Sequence, residues 1–156
     1  MTNDYKFYDT CSLLLKASSL FDNNEPFAIS SITLNELEEI KTSPYKDAEQ
    51  KYAARKLVHA LREHRGEYDV HIFTEDMLQP IIEKHLNITN DTKILATAIH
   101  YDKVVHPDET IFITDDACLF EIANLFFGDG CIESIGEDID TYQGYLDLTM
   151  SEAEME

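Results

Sequence analysis

The chain has 156 residues, 44% of them hydrophobic and 10% aromatic, which is enough for one domain with a single core. A net charge of −19 argues against a general nucleic-acid binder, because phosphate affinity comes mainly from Lys and Arg. No apolar run approaches the length of a membrane span, and Met1-Thr2-Asn3-Asp4 carries neither the basic nor the apolar part of a secretory signal.

The charge is uneven. Lys103 is the last basic residue, and 14 acids follow it. Any contact with nucleic acid must then rest on a local basic surface or on bound cations. Cys11, Cys118 and Cys131 are widely spaced and form no CxxC or zinc pattern. They fit reduced thiols in a cytoplasmic protein.

In chain order, residues 5–9 form an aromatic strand ending in Asp9, and Thr10 opens a helix with Leu13, Leu14, Ala17 and Leu20 at helical spacing. Residues 22–26 are a turn, and 27–30 a second strand. Thr33-Leu34-Asn35-Glu36 matches a capping box and predicts a helix ending near Ser43-Pro44. Residues 46–65 predict a longer helix closed by Gly66, with Lys51, Arg55, Arg62 and Arg65 on one face. A strand over 70–73 and a short helix over 76–86 follow. Asn90 is the expected N-cap of the next helix. Thr110–Ile113 is an apolar strand followed at once by Thr114-Asp115-Asp116, and a helix then carries Leu119, Ile122, Ala123, Leu125 and Phe126. Residues 131–134 suggest a last strand, and the acidic segment from 136 frays beyond about Leu148.

Strands alternating with helices imply a three-layer α/β/α fold with a central parallel sheet. The domain is expected over 1–148, with an acidic tail over 149–156. Asp9, Glu36, Asp91, Asp115 and Asp116 all fall at the junctions where strands end or helices begin. In a parallel sheet such junctions meet at one edge. Two carboxylates about 4 Å apart repel by roughly 4 kcal/mol at an effective dielectric of 20. A hard divalent cation, Mg²⁺ or Mn²⁺, relieves that repulsion and brings a water of lowered pKa to a phosphodiester.

Each acid also has a purely structural explanation. Asp9 can cap the following helix, Glu36 can complete the capping box, and Asp91 can complement a helix dipole. One of Thr114, Asp115 and Asp116 can be an N-cap. The basic helix face can equally be a solvated surface paired with Asp47, Glu49 and Glu63.

These segments resemble the PIN domain, a metal-dependent ribonuclease fold. The resemblance rests on Phe7-Tyr8-Asp9-Thr10 with Leu13-Leu14, on Ile32-Thr33-Leu34-Asn35-Glu36-Leu37, on Asp91-Thr92-Lys93-Ile94-Leu95-Ala96-Thr97-Ala98, and on Ile113-Thr114-Asp115-Asp116-Ala117-Cys118-Leu119 with Ala123. Asp9-Thr10 before an aliphatic run, and Tyr142-Gln143-Gly144-Tyr145, are closest to the PIN domain of PhoH-like proteins. The resemblance implies an endoribonuclease with catalytic Asp9, Glu36, Asp91, Asp116, Asp115 and Thr114, in which the five acids hold Mg²⁺ or Mn²⁺. Asp116 best matches the family's fourth acid, with Asp115 at a position commonly Asn. Cys11 also departs, standing where Asn is frequent.

Lys51, Arg55, Arg62 and Arg65 are the expected RNA contacts, with Lys46 and Lys56 beside them. Tyr142 and Tyr145 could stack a base or pack onto the domain. A homo-oligomer or an inhibitory protein partner is left open, and no membrane partner is expected. The rival function is a catalytically weak or inactive PIN-like module that binds RNA or protein. Phosphatase and receiver readings fail for want of a DxD motif and of a lysine after Lys103.

Overall fold

The computed structural model describes residues 5–22, 24–128 and 132–133. Cys131, Tyr142, Tyr145 and the tail over 149–156 lie outside the described residues.

A five-stranded parallel sheet has the order β3-β2-β1-β4-β5. Its strands are β1 (Tyr5–Tyr8), β2 (Phe27–Ser30), β3 (Asp69–His71), β4 (Thr110–Ile113) and β5 (Ile132–Glu133). The helices are α1 (Thr10–Lys16), α2 (Ser31–Thr42), α3 (Ala48–Glu63), α4 (Gln79–Glu83), α5 (Asn90–Val104) and α6 (Ala117–Phe127). Short 3₁₀ segments cover Ala17–Phe21 and Glu75–Leu78. The expected α/β/α layering is what the chain forms. Among the described residues no helix is long and apolar enough to cross a membrane.

Alternation along the strands divides the core in two. Phe7, Ala28 and Phe112 face one side, where Ile81, Ile94, Leu95, Ala98, Leu119 and Ala123 cover them. Tyr8, Phe27, Ile29 and Ile113 face the other side, against Leu13, Leu37, Ala54, Leu57 and Leu61. Side chains of this kind contribute roughly 1.5–3 kcal/mol each when fully buried. Central β1 is thereby locked between two apolar layers, and Asp9 follows it directly.

Three local expectations change. Thr33 does not cap α2. Ser30 does, its Oγ accepting from the Ile32 N–H at 3.1 Å, and Thr33 lies buried one turn further in. The helix starts earlier because β2 ends at Ser30 with no loop between the two elements. Thr89, not Asn90, caps α5, in a reciprocal pair with Thr92. The helix expected over 76–86 divides into a 3₁₀ segment and α4, with Pro80 in the first turn of α4.

α3 begins at Asp47, whose side chain and Gln50 form a full capping box. Its last turn is tied to the N-terminal edge of the sheet. His64 stacks on Phe21 with ring centroids 3.9 Å apart, Tyr68 stacks on Phe27 at 5.3 Å, and the Tyr68 hydroxyl donates to the Leu61 carbonyl. Phe27 is the first residue of β2, which fixes which end of the sheet this is.

Candidate active site

The C-terminal edge of the sheet collects the acids. The register Tyr8↔Ile113 makes Asp9 and Thr114 the next neighbours across the β1–β4 pair, and the Asp9 N–H donates to the Ile113 carbonyl at 3.2 Å. Thr114 accepts from the Asp116 N–H at 3.1 Å, so its own proton points to Asp9 Oδ2, 2.6 Å away. Asp9 Oδ1 accepts from the Ser12 N–H at 2.8 Å and caps α1. The structural and functional explanations of Asp9 are therefore compatible, since one oxygen caps the helix and the other faces β4.

Asp9 is only 3% exposed. Burial pushes its carboxyl up to about 6, against the lowering effect of Thr114 and Ser12, and Asp91 adds to the rise. Glu36 comes from the second turn of α2. Its Oε1 accepts from the Thr10 hydroxyl at 2.6 Å, and Thr10 Oγ1 lies 3.1 Å from the Thr33 hydroxyl. The capping box suggested by sequence is thus replaced by a bond across to the start of α1, which orients Glu36 toward the sheet edge. Its pKa is raised by burial and by the charges of Asp91, Asp9 and Glu39.

Asp91 opens α5 with its side chain in contact with solvent. Partial burial and the charge of Asp116 raise its pKa. Asp116 caps α6, accepting from the Leu119 N–H at 3.0 Å. Asp115 is half-buried beside it. The four carboxylates of Asp9, Glu36, Asp91 and Asp116 are coupled through these mutual charge effects. Among the described residues none of the four is in an ion pair with a basic side chain.

The oxygen-only donor set, with no basic side chain paired to it among the described residues, has the chemistry of a hard divalent-ion site. It is more open than the sequence suggests. Among the described residues no three His, Cys, Asp or Glu side chains are close enough to hold an ion as they stand. The reason is local: Asp9, Glu36 and Asp116 are each drawn to a hydroxyl or backbone donor of their own neighbourhood.

The expected RNA-binding row divides along α3. Arg65 lies near Tyr68, and Arg62 is in the last turn, so both belong to the N-terminal edge. Lys51 and Arg55 are in the first half of the helix. Cys11 is half-buried in the first turn of α1, next to Thr10.

Sequence reasoning gives no site role to Thr10, Ser30 or Thr97, and assigns Thr33 to a cap. Ser30 and Thr97 join by a 3.0 Å hydroxyl bond that pins α5 to the end of β2. The legible signal was a hydroxyl residue beside each acidic junction.

Of three comparisons with known proteins, the family models returned a PIN domain over residues 7–125. No curated protein and no solved structure matched. The matched span covers most of the chain and includes every acid of the site, and the family generally comprises metal-dependent nucleases. The chain belongs to the PIN domain family.

Proposed function

We propose that the chain is a metal-dependent endoribonuclease whose Asp9, Glu36, Asp91 and Asp116 hold Mg²⁺ or Mn²⁺, with Asp115 as a further ligand. The observation that carries this reading is the convergence of four mutually repelling carboxylates on one sheet edge with no basic partner among the described residues. A bound divalent cation supplies a water of lowered pKa and neutralises charge on the phosphoryl group.

The protein's own part is to position. Thr114 holds Asp9 at the end of the central strand, and Thr10 holds Glu36 across from it. Glu36, its pKa raised by burial and by the neighbouring carboxylates, is placed to orient the attacking water. Thr114, buried with its proton on Asp9, acts by holding that ligand rather than by contacting a phosphate. Lys51 and Arg55, with Arg62 and Arg65 further along α3, supply phosphate contacts. Within the family we place the chain nearest the PIN domain of PhoH-like proteins, on Asp9-Thr10 and Leu13-Leu14. We take residues 1–148 as the domain and 149–156 as its tail, and the cysteine usage supports a cytoplasmic protein.

The test is cleavage of a labelled single-stranded RNA in Mn²⁺. Asp9→Asn should abolish cleavage with the circular-dichroism spectrum unchanged, since the amide oxygen still accepts from Ser12 or Thr114. Wild-type protein that leaves every RNA intact in Mn²⁺ would favour the second reading, a weak or inactive PIN-like module. The open spacing of the carboxylates is the observation on that side.

A further inference from the structure

We propose that the connection between α2 and α3, together with the first half of α3, is a stacking platform for single-stranded RNA, built on Tyr45 and Tyr52. This deepens the RNA-directed reading above and rests on it. Tyr45 is 79% exposed and Tyr52 is 64% exposed, the two exposed Tyr or Phe residues among the described residues. Nothing in the domain's packing calls for them: the buried face of α3 is Gln50, Ala54, Leu57 and Leu61. Tyr52 points to the opposite side, where Arg55 and Lys56 are its neighbours three and four residues on.

Charge singles out the same segment. Residues 45–57 hold Lys46, Lys51, Arg55 and Lys56 against Asp47 and Glu49, a local excess of two positive charges in a chain of net −19. Two of the three acids that could have paired with this face, Asp47 and Glu63, are engaged elsewhere. Asp47 caps the helix, and Glu63 pairs with His59 at 3.0 Å. Among the described residues none of the four basic side chains is in an ion pair. Exposed rings interleaved with unpaired cations fit a chain with free base faces and a phosphate backbone.

Helix geometry sets the level of the platform. The last turn of α3 is anchored at the N-terminal edge of the sheet. At 1.5 Å per residue, Tyr52 lies about 16 Å back from Glu63. A four-residue strand spans only about 13 Å. For a helix lying along the strands, Tyr52 therefore stands level with the carboxylate edge. A strand stacked there could run on to the carboxylates.

The test is fluorescence anisotropy of a labelled oligouridylate in EDTA, where cleavage plays no part. Tyr52→Ala should weaken binding about tenfold and Tyr45→Ala/Tyr52→Ala further. The Tyr→Phe pair should restore binding, because the ring and not the hydroxyl stacks. An abasic oligomer of equal length should bind the wild type no better than the alanine pair binds oligouridylate. The Tyr45→Ala/Tyr52→Ala pair should keep the Mg²⁺-dependent rise in melting temperature of the wild type, so loss of the metal site and loss of the platform are separable results. Unchanged affinity in the alanine pair, failure of the phenylalanine pair to restore it, preference for duplex RNA, or no RNA binding by the wild type would each overturn the proposal. The first of these outcomes would leave the surface to a protein partner.

Discussion

At the scale of single residues, Asp9 is the most constrained carboxylate of the site. Its pKa is raised to about 6 from 3.8, so the folded state binds its proton more tightly than the unfolded chain does. The stabilisation is complete below pH 3.8 and is lost as pH rises through about 6, amounting to roughly 3 kcal/mol. Glu36 and Asp91 shift in the same direction. In protein stripped of divalent ions, Asp9→Asn should therefore melt higher than wild type at pH 7.5, and the gap should close by pH 4. Scanning calorimetry at the two pH values checks this; an asparagine variant that is less stable at pH 7.5 would contradict it. Protons also compete with cations for the same oxygens, so Mn²⁺ affinity should fall as pH drops below about 6.

Among the secondary elements, α2 matters most, because it starts with no loop after β2 and delivers Glu36 in its second turn. Ser30 holds that junction twice, through the Ile32 N–H and through Thr97. Ser30→Ala removes a cap and the bond to Thr97, whose hydroxyl keeps its bond to the Lys93 carbonyl. It should cost about 0.5–2 kcal/mol in denaturant unfolding and also reduce the proposed nuclease activity, because Glu36 loses its fixed entry angle. The alternation of strands and helices, and the placement of acids at their junctions, were legible because periodicity and turn residues are local signals. The caps of α2 and α5 were not. Thr33 with Glu36 satisfies a capping box as well as Thr89 with Thr92 does, and only the seating of β2 against β1 decides that Thr33 is interior. The split of the basic row was hidden for a similar reason. A helical face reads as one surface until its far end is seen stacked on Phe21 and Phe27.

For the whole molecule, net charge and site charge have the same sign. An acidic protein with an uncompensated acidic edge should gain stability from any cation that fits there. Mg²⁺ titration should raise the melting temperature of the wild type by several degrees, and that of Asp9→Asn or Asp91→Asn by much less. Equal shifts in all three proteins would indicate general screening rather than a site. Affinity for RNA at the proposed platform should fall only modestly with added salt, since few basic residues carry it and salt also screens the repulsive background.

The carboxylates are held by hydroxyls: Thr114 on Asp9, and Thr10 backed by Thr33 on Glu36. A lysine in any of these places would neutralise the edge permanently, and an arriving cation would have to evict it. A threonine brings no charge, and its proton can swing away by rotation about one bond. The acids are thus kept in position with no basic partner among the described residues, which leaves neutralisation of the edge to a cation from solution, as the proposed metal site requires.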